Sequence, residues 1–441
     1  MGKILFTTTL FFNKVGNQSL LETVKAYSKY YEVHVITSSS AKNDYYLSLS
    51  EAAERLPANV YLYRTPQFFH DFFRLISSLV PKRRPTGLVD NKNEDLINLR
   101  YSYLNILSFK LAAILTCIYV FFFKILKRDV RFNVVCAYEI GAVSECLFIK
   151  KYMYRNAFLM AKMQGTVLMP ILEEFSITPD LRRKYILDFK AYEKLPQFNL
   201  VTMTNDGTRG DEVLRYFGVK QSNIAFLMNG VSESIVKYDM SRPCLPLQKD
   251  MLIRICTISR IIGWKRVYLS VEFINVLVNK FCYKNVRLVI YGKGEEAEVR
   301  YVKKLISDYQ LGEYVSIKGE VNHEDVPDVI CGQDFLISLY KYTNVTNPLL
   351  EAVYLGTPVI TLSDSSLSKI LQHNPDKNIF IFNEEGDETQ LLNDLAKFLI
   401  SIDIIKIRER RQALSGLKPD SILSWMERVR LENEHIKRLC S

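Results

Sequence analysis

The chain has 441 residues, 48% of them hydrophobic, and a formal net charge of +10. That length accommodates two or three domains of about 150 residues and supplies each with a substantial core. Its eight cysteines are scattered, without a Cys-x-x-Cys pair or a nearby histidine cluster, which argues against a zinc site and for free thiols in a reducing compartment.

The first segment, Ile4 to Phe11, reads as a buried strand. It lacks a small-residue cleavage site, so it is core rather than signal peptide. An amphipathic helix is expected over Ser19 to Tyr30, then strands over Tyr31 to Thr37 and Asn59 to Arg64. Charge then becomes uneven: Lys82 to Arg131 holds ten basic and four acidic residues, a local +6. Within it, Tyr101 to Phe123 carries one charge, Lys110, and its uncharged part, Leu111 to Phe123, is 13 residues, short of the roughly 20 a membrane span needs. A buried or membrane-facing helix is expected there, with a true span as the alternative. Phe68 to Val80, followed by Pro81 and the basic run Lys82 to Arg84, is a second candidate for surface contact, with a surface loop as the alternative. Basic and apolar together, the region points to an anionic membrane surface and not to nucleic acid.

Strands at Phe132 to Tyr138, Ala157 to Gln164 and Asn199 to Thr204 continue a parallel, helix-flanked sheet. In the loop that follows, Asp206 is expected to cap the next helix, with a ligand contact as the alternative. The proline-bearing stretch 238–250 reads as a linker. Alternation restarts at Leu252 to Ile258, with a helix over Val267 to Lys280 and strands at Val286 to Tyr291, Val315 to Lys318, Asp334 to Leu339 and Pro358 to Thr361. The expected domains are 1–237, 251–415 after the linker, and a terminal amphipathic helix within 416–441. Two such halves place ligands at the carboxyl edges of their sheets.

Those edges hold the informative residues. Arg260 and Lys265 lie on a strand-to-helix loop, where two cations suit a diphosphate; a solvated basic loop is the alternative. Gly292, Gly294 and Ala297 follow a strand in a G-x-G-x-x-A pattern, with Glu320 ending a later strand, which imitates a dinucleotide fingerprint. That fingerprint belongs in the first βα unit of its domain, and this is the second. Asn344, Val345, Thr346 and Asn347 precede Pro348, a residue favoured in a helix's first turn, so unpaired amides there can face a phosphate or a sugar hydroxyl. Glu351 is one carboxylate in an apolar helical run ending at Gly356, Thr357 and Pro358. It is costly to bury unless something polar meets it, and it also favours the helix dipole.

Most of the chain, and most strongly Asn229 to Ile360, resembles the retaining GT-B glycosyltransferases of the family 4-like kind (glycosyl transferases group 1). That group includes glycogen and sucrose synthases and many bacterial cell-surface enzymes. The resemblance implies an α/β fold of two Rossmann-like parallel-sheet domains facing a central cleft, with the terminal helix crossing back to the first. It implies that Arg260 and Lys265 hold a donor diphosphate, that Glu351 accepts the ribose hydroxyls, and that Gly16, Gly292, Gly294, Glu320, Val321 and Asn344 to Asn347 line the donor pocket. Gln164 stands where many relatives place a histidine beside the transferring sugar. Asn229 and Gly230 match an Asn-Gly-Val turn read as hinge structure. The family's second glutamate, eight positions before Glu351, is here Thr343, which keeps a hydrogen-bonding group and loses the charge. The implied activity is hexosyl transfer from a nucleoside diphosphate sugar to a glycan or glycolipid; the basic, apolar region adds the expectation of a peripheral place at the cytoplasmic face of a membrane, and Arg260 and Lys265, with no Asp-x-Asp motif, the expectation that no metal is essential. A nucleotide-sugar epimerase of the same fold and a non-catalytic transferase partner are the alternatives.

Overall fold

A computed structural model describes residues 1–14, 16, 18–38, 46–65, 114–122, 130–166, 168–169, 182, 185–238, 251–363, 367, 379–384, 387–413 and 422–440. The chain forms two compact units, one of Met1–Leu227 with Met426–Ser441, the other of Met228–Trp425.

The first unit is a seven-stranded sheet of β1 (Gly2–Thr8), β2 (Tyr31–Thr37), β3 (Val60–Arg64), β4 (Val134–Tyr138), β5 (Phe158–Met163), β6 (Leu200–Thr204) and β7 (Ile224–Leu227), in the order β3-β2-β1-β4-β5-β6-β7. All neighbours are parallel. Helices cover both faces of such a sheet, so its strands read as continuous apolar runs; β4 is buried along its whole length. The second unit holds β8 (Ile253–Ile258), β9 (Val286–Tyr291), β10 (Val315–Gly319), β11 (Phe335–Ser338), β12 (Val359–Leu362) and β13 (Ile379–Phe382), parallel in the order β10-β9-β8-β11-β12-β13. Its core is two apolar clusters, one around Leu269, Ile290 and Leu395, the other around Leu349, Leu350 and Ile330.

Two strands, β7 and β13, were not expected from the sequence. Each is a four-residue apolar run, too short for periodicity to separate it from a buried turn. The division between units falls at Leu227 and Met228, ten residues before the expected end of the first domain. Packing explains the shift. Val231 donates its N–H to the Leu423 carbonyl at 2.8 Å and accepts from Trp425 N–H at 3.2 Å, and Val231 and Ile235 belong to the second unit's core. A Cβ on Gly230 would stand 2.3 Å from Trp425 N, so only glycine lets the two strands of chain meet. Positions 239–250 of the expected linker lie outside the described residues, as does Phe68 to Val80.

The Trp425–Cys440 helix carries the tie that closes the first unit. Lys162 on β5 donates to Glu432 Oε1, Tyr27 hydroxyl donates to Glu432 Oε2 at 2.8 Å, and Arg428 Nε donates to Oε1 at 3.0 Å. Arg428 Nη2 also reaches Thr204 Oγ1 on β6 at 3.1 Å. Lys162, Arg428 and Glu432 are fully buried. Burial alone would raise the Glu432 carboxyl, but the two cations and the Tyr27 hydroxyl hold it below its usual value. Burial, with Arg428 competing for the same carboxylate, pulls Lys162 down to about 8.

Of the run from Tyr101 to Phe123, residues 114–122 are described and are helical. Among the described residues no helix is long and apolar enough to cross a membrane.

Candidate active site

In the second sheet the strand order reverses between β8 and β11, and a crevice beyond the carboxyl ends of the strands opens at such a switch point. The loops leaving these two strands carry Arg260, Lys265, Thr343, Asn344, Val345 and Thr346.

After β8 the chain runs through Arg260 to a single 3-10 turn, Gly263–Lys265, and enters the Val267–Asn275 helix by way of Arg266, whose φ is +43°. The three cations of this loop do different work. Arg266 is buried and structural: Nε donates to the Leu339 carbonyl at 3.0 Å, and Nη1 and Nη2 grip Glu384 at 2.6 and 2.9 Å. Lys265 lies over two rings, its ammonium 4.1 Å from the Trp264 centroid and 3.8 Å from the Tyr340 centroid, a contact worth about 0.5–2 kcal/mol. Arg260 is exposed, and no hydrogen bond or ion pair holds its guanidinium among the described residues. An unspent guanidinium on the same loop as an ammonium is a candidate binding set for a diphosphate.

The loop after β11 meets the loop after β8. Lys341 donates its N–H to the Trp264 carbonyl at 3.1 Å, and the Trp264 and Tyr340 rings cross edge to face at 6.2 Å. Tyr340 is buried, which pushes its hydroxyl above the usual range. Asn344 is spent on the loop itself: its Oδ1 accepts from Tyr340 N at 3.0 Å and Ser338 Oγ at 3.2 Å, while Nδ2 donates to the Tyr340 carbonyl at 3.1 Å. The Val345 side chain is core, which leaves that residue's main chain for any ligand contact.

The Asn347–Tyr354 helix starts with Pro348 in its first turn and has no side-chain cap from Thr346. Thr346 Oγ1 is buried without a partner. Asn347 Oδ1 accepts from Asn229 Nδ2 at 2.9 Å. Thr343 and Glu351 are both buried, on the loop and on the helix that flank this start.

Gly292 and Gly294 have a packing reason to be glycine. A Cβ on Gly292, whose φ is +141°, would sit 1.8 Å from the Ser259 carbonyl oxygen, and one on Gly294 1.8 Å from that of Ile261. The β8 and β9 loops are zipped there: Ser259 N–H to Tyr291 O at 3.0 Å, Ile261 N–H to Lys293 O at 2.9 Å and Glu295 N–H to Ile261 O at 3.1 Å. Past β10, Glu320 pairs with Lys293 at 2.5 Å, and half-buried Val321 packs on the core.

In the first unit, Gly16 is exposed with φ +84° on the loop after β1. Gln164 follows β5: its N–H donates to Glu139 Oε1 at 3.1 Å and its Nε2 to the Tyr138 hydroxyl at 3.0 Å. Asp206 does not cap the Gly210–Tyr216 helix, which has no side-chain cap. Its Oδ1 accepts from Thr208 N at 3.1 Å and Thr208 Oγ1 at 2.6 Å, closing a turn of its own because three intervening residues carry the chain away from the helix start.

Sequence reasoning missed Trp264, Tyr340, Arg266 and Glu139. The aromatic flanks of Lys265 were visible only as separate residues 76 positions apart. Nothing local said that they would meet.

Residues 247–412 match the family described as "Glycosyl transferases group 1". No curated protein matches the chain. Among solved structures, HepE of Anabaena in complex with UDP and glucose is 14% identical with a TM-score of 0.60, covering 100% of both chains. Sucrose-phosphate synthase from Thermosynechococcus elongatus is 14% identical with a TM-score of 0.63, covering 99% of this chain and 98% of its own. WaaG, a glycosyltransferase involved in lipopolysaccharide biosynthesis, is 13% identical with a TM-score of 0.62, covering 98% and 99%. The fold is GT-B, with two Rossmann-like parallel-sheet domains. The segment matching glycosyl transferases group 1 lies within the second unit.

Proposed function

We propose that the protein is a retaining glycosyltransferase that moves a sugar from a nucleoside diphosphate donor to a lipid-linked or polysaccharide acceptor. One observation carries the reading: at the switch point of the second sheet, inside the segment matching glycosyl transferases group 1, Arg260 is unspent and Lys265 is held between two rings. In this reading those cations neutralise the diphosphate without a metal, Glu351 takes the ribose hydroxyls, and Thr343 and Gln164 face the transferred sugar. The leaving diphosphate accepts the acceptor's proton, so a neutral threonine at 343 is compatible with transfer. HepE structures hold UDP, glucose or UDP-glucose, and UDP-sugars are the first donors to try.

A membrane-borne acceptor at the cytoplasmic face is supported by the 114–122 helix, whose Ile114, Ile118, Phe121 and Phe122 are exposed along one side, next to a basic stretch of sequence.

The test is product analysis with a panel of nucleotide sugars and membrane extract, with the new linkage assigned by NMR. An acceptor-dependent product that keeps the donor's anomeric configuration is expected. Conversion of donor without acceptor would make the protein an epimerase, and donor binding without turnover on any acceptor would make it a non-catalytic partner.

A further inference from the structure

The end of β4 is irregular in an informative way. Glu139 continues the β4–β5 ladder on one side, donating its N–H to the Lys162 carbonyl at 2.9 Å. In a regular parallel ladder its own carbonyl would then accept the N–H of Gln164. Instead the backbone turns to φ +70°, ψ 166°, a region populated almost only by glycine. The Glu139 carbonyl leaves to accept from Ala142 N–H at 3.1 Å. Its side chain takes the vacated place, Oε1 accepting the Gln164 N–H at 3.1 Å.

Gln164 is thereby anchored by its main chain at the point where β5 ends. Gly165 follows with φ +125°, and a Cβ there would stand 2.3 Å from Asp206 Oδ2, so the turn is pressed against that carboxylate. The Gln164 carboxamide has one bond, to the Tyr138 hydroxyl, and its Oε1 has no partner. A strained, non-glycine residue is maintained here, and what it provides is a fixed Gln164.

We propose that Glu139 is a positioning residue: its carboxyl substitutes for a ladder carbonyl and so fixes the Gln164 carboxamide at the sheet edge for sugar transfer. The inference rests on the transferase reading, which places Gln164 beside the transferred sugar. Burial raises the Glu139 carboxyl to about 8, with the Gln164 N–H and Lys162 opposing and Asp206 and Asp188 reinforcing. Tyr138 on β4 and Tyr192 on the Ile186–Tyr192 helix are the other titratable groups coupled to it. Glu139 is therefore a neutral acid at pH 7, a carbonyl acceptor much like a glutamine. Ionisation above pH 8 sets its charge against Asp206, which already presses on the Gln164 turn.

Three variants separate positioning from mere structure. Glu139→Gly relieves the backbone strain and removes the anchor, so Tm should hold or rise while kcat falls about tenfold, the size of one lost hydrogen bond. Glu139→Gln keeps the acceptor and should stay within about threefold of wild type at pH 7. The wild-type rate should change through pH 8, and that inflection should be absent in Glu139→Gln. Full kcat in Glu139→Gly, or a loss in Glu139→Gln equal to that in Glu139→Gly, overturns the proposal. A readout independent of turnover is the Gln164 amide resonance in glutamine-labelled protein, assigned by its loss in Gln164→Asn. It should titrate with a midpoint near 8 in wild type and stay flat in Glu139→Gln. A wild type that transfers no sugar sinks the transferase reading alone, whereas a flat Gln164 amide in wild type sinks this one.

Discussion

Lys162 and Arg428 in the first unit and Arg260 and Lys265 in the second are the same two residue types in opposite settings. The first pair is sealed in the interior and converges on Glu432. The second pair lies on a loop at a sheet edge, one guanidinium exposed and one ammonium resting on aromatic faces. A buried cation whose donors are taken up by a carboxylate has nothing left to offer a ligand, and removing its partner strands a charge in the core. A cation left at an edge costs little to keep there and gains most when an anion arrives. Burial and pairing, more than residue type, separate a structural charge from a functional one.

The sharpest way to break the comparison is Glu432→Ala. It leaves Lys162 and Arg428 without their shared counter-charge and takes the carboxylate acceptor from the Tyr27 hydroxyl, and a loss of about 3–5 kcal/mol in denaturant unfolding is expected. The pH dependence has a definite sign. Because the folded carboxyl is held below its ordinary 4.5, its contribution is complete above that value and fades as pH falls through the lower folded one. The stability gap between wild type and Glu432→Gln should therefore narrow in acid. A gap that widened would mean that Glu432 is protonated in the folded protein.

Arg260→Ala is the counterpart at the edge. Among the described residues nothing holds this side chain, so Tm should be unchanged, while loss of a charge-assisted contact of about 2–3 kcal/mol predicts a fall of roughly 30–150-fold in kcat/KM for the donor. Lys265→Ala should cost a similar factor in rate and also a little stability through its two rings. If Arg260→Ala keeps wild-type kinetics, the diphosphate is elsewhere and the contrast between the two pairs loses its functional half.

How much of this was legible beforehand depended on whether the signal was local. The alternation of apolar runs with helical stretches specified every described strand except β7 and β13, because a strand buried on two faces is apolar along its length. The edge cations were legible for the same reason, since a loop between a strand and a helix must fall at a carboxyl end. The buried network was not. Neither a lysine in Phe158–Met163 nor the i, i+4 spacing of Arg428 and Glu432 signals burial by itself. What joins them is a contact across 270 positions. Val231 escaped notice similarly: its partner is Ser424, and without that pairing the stretch after β7 read as part of the first domain.

Gly294→Ala tests whether the donor edge depends on close approach of its two loops. The added methyl would start 1.8 Å from the Ile261 carbonyl oxygen, a backbone atom with no side-chain freedom to yield. Overpacking of this kind costs about 1–3 kcal/mol, read as a lower Tm, and should displace the loop carrying Arg260 enough to raise the donor KM. A variant that loses stability but keeps its KM would show that the glycine serves packing alone.

The smallest effect concerns the cradle under Lys265, where two contributions oppose. Trp264 and Tyr340 attract the ammonium, and any attraction a diphosphate had to overcome would make Trp264→Leu bind donor more tightly. But Lys265 is only half-buried, and in the transferase reading a diphosphate meets its exposed part while both ring contacts persist. What the rings then contribute is order: a free lysine side chain gives up as much as about 2 kcal/mol of rotamer entropy when fixed, and a cradled one has already lost part of it. Preorganisation wins on these magnitudes, and Trp264→Leu should raise the donor KM by roughly threefold to tenfold with kcat nearly unchanged. Tighter donor binding in Trp264→Leu would reverse the sign of that balance, and the rings would then be holding Lys265 back from its ligand.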